Sequence, residues 1–132
     1  MQITVGQGTA NLVDWDENDL YVDIADNVCH NLDLGYEDLV FLDDLRNNGE
    51  KGAGLKVLKR ALEVARSQKQ ILTIFVNSAE GGDTEKLRKW YLATGLLVQV
   101  PTRSGSKLTN ILVDKEADLT LRTEDPEEED LL

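Results

Sequence analysis

Two groups of residues in this 132-residue chain have types and spacing that suit chemistry. The first is the turn Gly49-Glu50-Lys51-Gly52-Ala53-Gly54, followed at once by the helix-like run Leu55-Lys56-Val57-Leu58-Lys59-Arg60-Ala61-Leu62. A helix with a glycine-rich first turn leaves its backbone N–H groups uncovered, and the helix dipole adds partial positive charge there. Lys51 and Lys56 carry the same sign, so the turn can seat a phosphate or pyrophosphate. A plain connection between strand and helix uses the same residue types. The spacing matches neither the nucleotide P-loop nor the dinucleotide fingerprint. The second group is Asp43 and Asp44, at the end of the apolar run Leu39-Val40-Phe41-Leu42. Carboxylates are costly to bury without a task or a partner; the alternative is that both face water where the strand leaves the sheet. The pair Cys29-His30 invites a nucleophile reading, but adjacent residues on a strand or helix point apart, which favours an incidental pair.

The elements that must position these residues follow from periodicity. Residues 55, 58, 62 and 65 form one apolar stripe, widened by Val57, Ala61 and Val64, with Lys56, Lys59, Arg60 and Arg66 largely opposite. This predicts an amphipathic helix from about Gly52 to Ser67, packed on a sheet. Asp38–Leu45 and Ile71–Val76 are continuous apolar runs on either side of that helix. They predict two parallel strands, covered on both faces and joined by a right-handed crossover.

Upstream, 1–5, 10–15 and the alternating Leu20–Ala25 predict an antiparallel meander. Asp26–Glu37 reads either as a short helix capped by Asp26 or as an irregular loop. Downstream, Asn77–Gly82 is expected to be a loop. Asp83 or Thr84 caps a second helix that ends at Gly95 and carries Leu87, Trp90, Tyr91 and Thr94 on one side. Leu96–Val100, stopped by Pro101, and Leu108–Val113 then form a hairpin around a turn at Thr102–Ser106.

Composition narrows the function. The formal net charge is −11; residues 124–132 hold six of the acids and no base, which leaves −5 for the rest. Nucleic acid as the main ligand is disfavoured, because phosphate contacts need clustered Lys and Arg. The acidic balance favours cationic partners, or simply solubility. The single cysteine permits no internal disulfide and no metal-ligand pair, so no metal is expected. No leader and no apolar run of membrane-spanning length is visible, which predicts a cytoplasmic protein that does not engage a membrane. Residues 1–117 are expected to form one domain. Residues 118–132 are expected to be a solvated acidic tail, with a protein-docking role as the alternative.

Three segments carry a resemblance to a known family. Phe41-Leu42-Asp43-Asp44-Leu45 resembles the fourth strand of the Gcn5-related N-acetyltransferases. Lys51-Gly52-Ala53-Gly54-Leu55-Lys56-Val57-Leu58 resembles their acetyl-CoA pyrophosphate loop and the helix after it. Lys86-Leu87-Arg88-Lys89-Trp90-Tyr91-Leu92-Ala93-Thr94-Gly95-Leu96 resembles their Leu-Tyr-x-x-x-Gly-Phe segment. The resemblance implies an α/β fold with a mixed central sheet and an N-terminal antiparallel meander. It also implies a parallel pair of strands splayed around a CoA cleft, two main helices and a C-terminal β-hairpin. Acetyl-CoA would be the co-substrate and a primary amine, on a small molecule or a protein, the acceptor. Amides of Gly52, Ala53 and Gly54, at the start of the helix through Leu55, would hold the pyrophosphate, with Lys51 and Lys56 adding charge. Backbone at Asp44-Leu45-Arg46 would pair with the pantetheine arm. Tyr91 would protonate the departing thiolate, and Asp43 or Asp44 would act as base. The alternative is an acetyltransferase-like domain without catalysis that works by binding protein; a nucleic-acid mimic ranks below both. The chain is expected to be a monomer or a homodimer, and small domains of this kind occur in bacteria and phages.

Overall fold

The structure, a computed structural model, describes residues 1–32, 34–76, 84–101 and 108–117. The loop at Asn77–Gly82, the cap at Asp83, the turn at Thr102–Ser106 and the tail from residue 118 lie outside the described residues. Within them, six strands form one mixed sheet and three α-helices cover it. The strands are β1 (Gln2–Val5), β2 (Gly8–Val13), β3 (Leu39–Asn47), β4 (Ile71–Phe75), β5 (Leu97–Pro101) and β6 (Leu108–Asp114); the helices are α1 (Asp19–Leu32), α2 (Ala53–Ser67) and α3 (Thr84–Ala93). The sheet order is β1-β2-β3-β4-β6-β5. Only β3 and β4 run parallel, with Leu39 opposite Ile71 and Phe41 opposite Thr73; every other registered pair is antiparallel.

The apolar run in β3 explains itself by period-two alternation between two cores. Val40 and Leu42 belong to the cluster beneath α2, with Val57, Leu58, Ala61, Leu62, Leu72 and Ile74. Leu39 and Phe41 belong to the cluster beneath α1, with Ile24, Ala25 and Val28. Both faces of the strand are covered over residues 39–42, so no polar residue interrupts that run.

The sequence expectation fails at Leu20–Ala25, which is the start of α1 and not a third strand. Tyr21, Ile24, Ala25, Val28 and Cys29 are all buried, a helical spacing of 3, 1, 3 and 1 that continues past the six residues read as alternating. Asn18 starts the helix: its Oδ1 accepts the Tyr21 N–H at 2.8 Å. Leu20, one of the apolar residues of the alternating pattern, is 45% exposed. The meander is therefore β1-β2-β3 with α1 inserted before β3. The ambiguous stretch from Asp26 continues α1 to Leu32 and ends in a 3-10 turn at Tyr36–Asp38; Asp26 lies inside the helix and does not cap it. The second strand covers Gly8–Val13 rather than 10–15, because Trp15–Glu17 form another 3-10 turn. β3 runs two residues beyond Leu45, and Pro101 sits within β5 as its last residue.

One ion pair ties the last turn of α2 to the end of β6. Arg66 Nε and Nη2 each donate to Asp114, at 2.7 Å to Oδ2 and 2.7 Å to Oδ1, and the Glu116 N–H also donates to Oδ1 at 2.9 Å. Asp114 is buried, whereas Arg66 is partly exposed. Removing the guanidinium leaves a buried carboxylate with one backbone donor. Arg66→Ala is expected to lose about 2 kcal/mol of stability, read as a lower urea midpoint at unchanged slope. An unmoved midpoint would show that Asp114 is adequately solvated without its partner.

Candidate active site

The parallel ladder between β3 and β4 stops at Phe41 opposite Thr73. Beyond it the strands part. β3 continues to Asn47 against β2, and β4 continues against β6, with Phe75 opposite Ile111 and the Val76 N–H donating to the Asn110 carbonyl at 2.9 Å. A cleft of about 390 Å³ opens between them. Leu42, Asp43, Asp44 and Leu45 line it from β3, and Ile74, Phe75 and Val76 from β4 and the residue after it. Leu87 and Tyr91 of α3 add to the wall, as do Asn18, Leu20 and Tyr21 at the start of α1.

A β-bulge helps β3 turn away. Thr9 pairs with Arg46 and Asn11 with Asp43, so Asp44 and Leu45 together oppose the single residue Ala10. Asp44 takes up the mismatch at φ +57, a left-handed conformation that aspartate tolerates better than most residues. Bulges bend and twist the strand that carries them.

The bulge gives the two carboxylates different surroundings. Asp43 Oδ1 accepts the Tyr21 hydroxyl at 3.1 Å. Asp44 Oδ1 is paired with Arg46 Nε at 2.7 Å on an exposed part of the surface. Both aspartates are exposed, as the sequence allowed, yet both line the cleft. Among the described residues the lining contains two carboxylates and no Lys, Arg or His.

Tyr91 is 5% exposed and packs in the core cluster with Leu72, Ile74 and Val76 while also lining the cleft. Burial pushes its phenol pKa up to about 12, so the hydroxyl stays protonated at neutral pH. Its neighbour Trp90 meets it edge-on at 5.1 Å and is 40% exposed.

The glycine turn lies across Trp90 from this tyrosine. A Cβ built on Gly54 would stand 3.6 Å from the indole, in ordinary contact. Adjacent residues of α3 therefore touch the helix start and the cleft. Gly52, at φ +80, is the N-cap of α2, and left-handed backbone at that position suits glycine. Gly8 sets how closely β2 approaches: a Cβ there would be 2.6 Å from the Ala53 carbonyl oxygen.

The amides named from the sequence are not equally available. The Ala53 N–H donates to the Glu50 carbonyl at 3.2 Å. Lys56 Nζ is 3.4 Å from Glu50 Oε2, which offsets its charge; Lys51 is exposed and Leu55 half-buried. Arg46 points to Asp44 and is outside the cleft lining.

The structure thus gathers Asp43, Asp44, Leu45 and Tyr91 in the cleft and Gly52, Ala53 and Gly54 at the helix start. Sequence reasoning missed Asn18, Leu20 and Tyr21, because α1 was read as a strand. The signal that could have found them is the asparagine cap followed by the 21, 24, 25, 28 spacing. Cys29 is buried on α1, its thiol pushed up to about 11 by burial and then by Asp38, Asp26 and Glu37, while His30 is exposed. Among the described residues no cluster of His, Cys, Asp or Glu could hold a metal ion, and no helix is long and apolar enough to cross a membrane.

No protein-family model matches the chain, and neither does a curated protein or a solved structure.

Proposed function

We propose that this domain is an acetyl-CoA-dependent N-acetyltransferase of the Gcn5-related type, acting on a cationic primary amine. The observation that carries the reading is the parting of β3 and β4 beyond Phe41 and Thr73, with a tyrosine and a carboxylate facing the gap. Strands that separate offer backbone edges to an extended, amide-bearing arm, which can complete the interrupted sheet. The start of α2 lies beyond Trp90, where the helix dipole favours a pyrophosphate, while the Ala53 amide and Lys56 are engaged by Glu50. Acetyl-CoA, when bound, supplies the activated acetyl group.

The chain's own residues divide the remaining work. An amine is nucleophilic only when neutral, so a cationic acceptor must first give up a proton. Asp43 suits that role better than Asp44, whose carboxylate is occupied by Arg46. The lining, acidic and without a basic side chain among the described residues, draws cations toward the same place. Tyr91 lines the cleft and holds its proton at neutral pH, and would pass it to the departing CoA thiolate. The buried walls of Leu42, Ile74 and Val76 limit water on the sheet side.

Gly54→Asp tests the helix start in protein shown to be folded, because Gly54 is buried and a carboxylate there loses hydration. The position is in the first turn of α2, where an acid suits the helix dipole, and a Cβ has room beside Trp90. The added carboxylate would repel a pyrophosphate. Affinity for acetyl-CoA, measured by calorimetry on the folded variant, is expected to fall at least tenfold, about 1.4 kcal/mol. Equal affinity in both proteins would remove the helix start from the site.

Consumption of acetyl-CoA against a panel of amines, polyamines and lysine peptides tests the activity. Amine-dependent turnover by the wild type is the expected result. One observation favours a second reading, a non-catalytic protein-binding or structural module: the Ala53 amide and the Lys56 charge are both engaged within the turn. No binding of acetyl-CoA, or binding with no turnover above background, would favour that reading instead.

A further inference from the structure

Tyr21 lines the cleft beside Asp43. It is held in three ways. Its backbone N–H donates to Asn18 Oδ1 at 2.8 Å, its ring stacks on Phe41 at 4.5 Å and 12°, and its hydroxyl donates to Asp43 Oδ1 at 3.1 Å. The helix cap and the stack fix where the hydroxyl stands, because a tyrosine side chain has only two rotatable bonds before its ring plane is set. Burial first, and the charge and hydrogen bond of Asp43 next, push the phenol far above the ordinary tyrosine range. Tyr21 therefore donates to Asp43 at all physiological pH values and does not compete as a base.

Asp43 is left with one engaged oxygen. Its Oδ2 has no partner among the described residues, and the residue is exposed to the cleft. A carboxylate pinned at one oxygen presents the other along a restricted direction. Asp44 has the opposite arrangement, since its partner is a surface arginine beyond the cleft.

We propose that Tyr21 is a positioning residue that holds Oδ1 of Asp43 and so aims Oδ2 at the ammonium group of the acceptor. This rests on the transferase reading for its chemistry, but the binding of a cation to Asp43 can be measured without acetyl-CoA. The acceptor class that fits is a primary ammonium on a flexible chain. Such a group donates to Oδ2, while its methylene stem lies along Leu20 and Leu42.

The test uses Tyr21→Phe, which keeps the ring and its stack on Phe41, and Asp43→Asn, with spermidine as the probe. Binding is followed by amide chemical shifts without acetyl-CoA, and the KM values for spermidine and acetyl-CoA are measured separately. Tyr21→Phe is expected to weaken spermidine binding about fivefold and to raise its KM by a similar factor. The KM for acetyl-CoA is expected to stay as in the wild type, and Asp43→Asn to lose more than Tyr21→Phe. A purely structural tyrosine would lower the melting temperature and leave the two KM values in their original ratio. Wild-type spermidine binding in Tyr21→Phe, or no spermidine binding by the wild type, overturns the proposal. If binding depends on both residues and acetyl-CoA is still not consumed, the positioning role stands and the transferase reading fails. If acetyl-CoA is consumed and Tyr21→Phe matches the wild type for spermidine, the reverse holds.

Discussion

Tyr91→Phe is expected to lower kcat by about 10²-fold while leaving the affinity for acetyl-CoA unchanged. The substitution keeps the ring among Leu72, Ile74 and Val76, so the core loses one hydroxyl and little packing. Two roles for this residue therefore separate cleanly. As a core tyrosine it would show a small stability change and full turnover. As the proton donor it would show a loss confined to the chemical step. The raised pKa supports the second role only in part: a phenol near 12 keeps its proton, but it is a weaker acid than an ordinary tyrosine. The position supplies the rest, since Tyr91 lies on the α3 wall of the gap between the parted strands.

Asp43→Asn is expected to cause a comparable loss, about 10²-fold or more in kcat/KM for the amine near neutral pH. The amide is nearly the same size and still accepts the Tyr21 hydroxyl, so the cleft should keep its shape. What it cannot do is take a proton. Raising the pH supplies neutral amine from solution, so the deficit should shrink toward the pKa of the acceptor. Asp44→Asn is expected to cost far less, because Asp44 spends its charge on Arg46 at the surface. Equal losses in the two variants would mean that the acidic field of the cleft matters and not one base. The comparison uses full pH profiles of kcat/KM.

What could be read in advance followed from strong local patterns. The helix after the glycine turn carried a 3.6-residue stripe over fifteen residues, and α2 occupies Ala53–Ser67. The flanking apolar runs became the parallel pair, because strands buried on both faces cannot alternate with polar residues. The region before β3 was harder. Leu20, Val22 and Ile24 alternate, and over six residues that pattern outweighs a helical one that needs eleven or more to declare itself. Only packing against Leu39, Phe41 and Ile111 decides that Tyr21, Ile24 and Val28 share a face.

The site divided along the same line. Asp43 and Tyr91 could be picked out by their place at the end of a strand and within a motif. The hydrogen bond that distinguishes Asp43 from Asp44 could not, because it joins residues 22 apart through a helix that was read as a strand. The pairing of Lys56 with Glu50 was equally hidden, since the sequence shows a lysine but not the acid folded back against it.

The measurement that bears most directly on the central claim is a titration of the labelled domain with acetyl-CoA, followed by backbone amide shifts. Saturable changes are expected at residues 42–45 and 74–76, along the two parted strands, and at residues 52–54 where α2 begins. Absence of any saturable change would contradict acetyl-CoA binding in the cleft. So would changes confined to the opposite end of the sheet, around Met1, Leu12 and Gln68, where a smaller hollow lies.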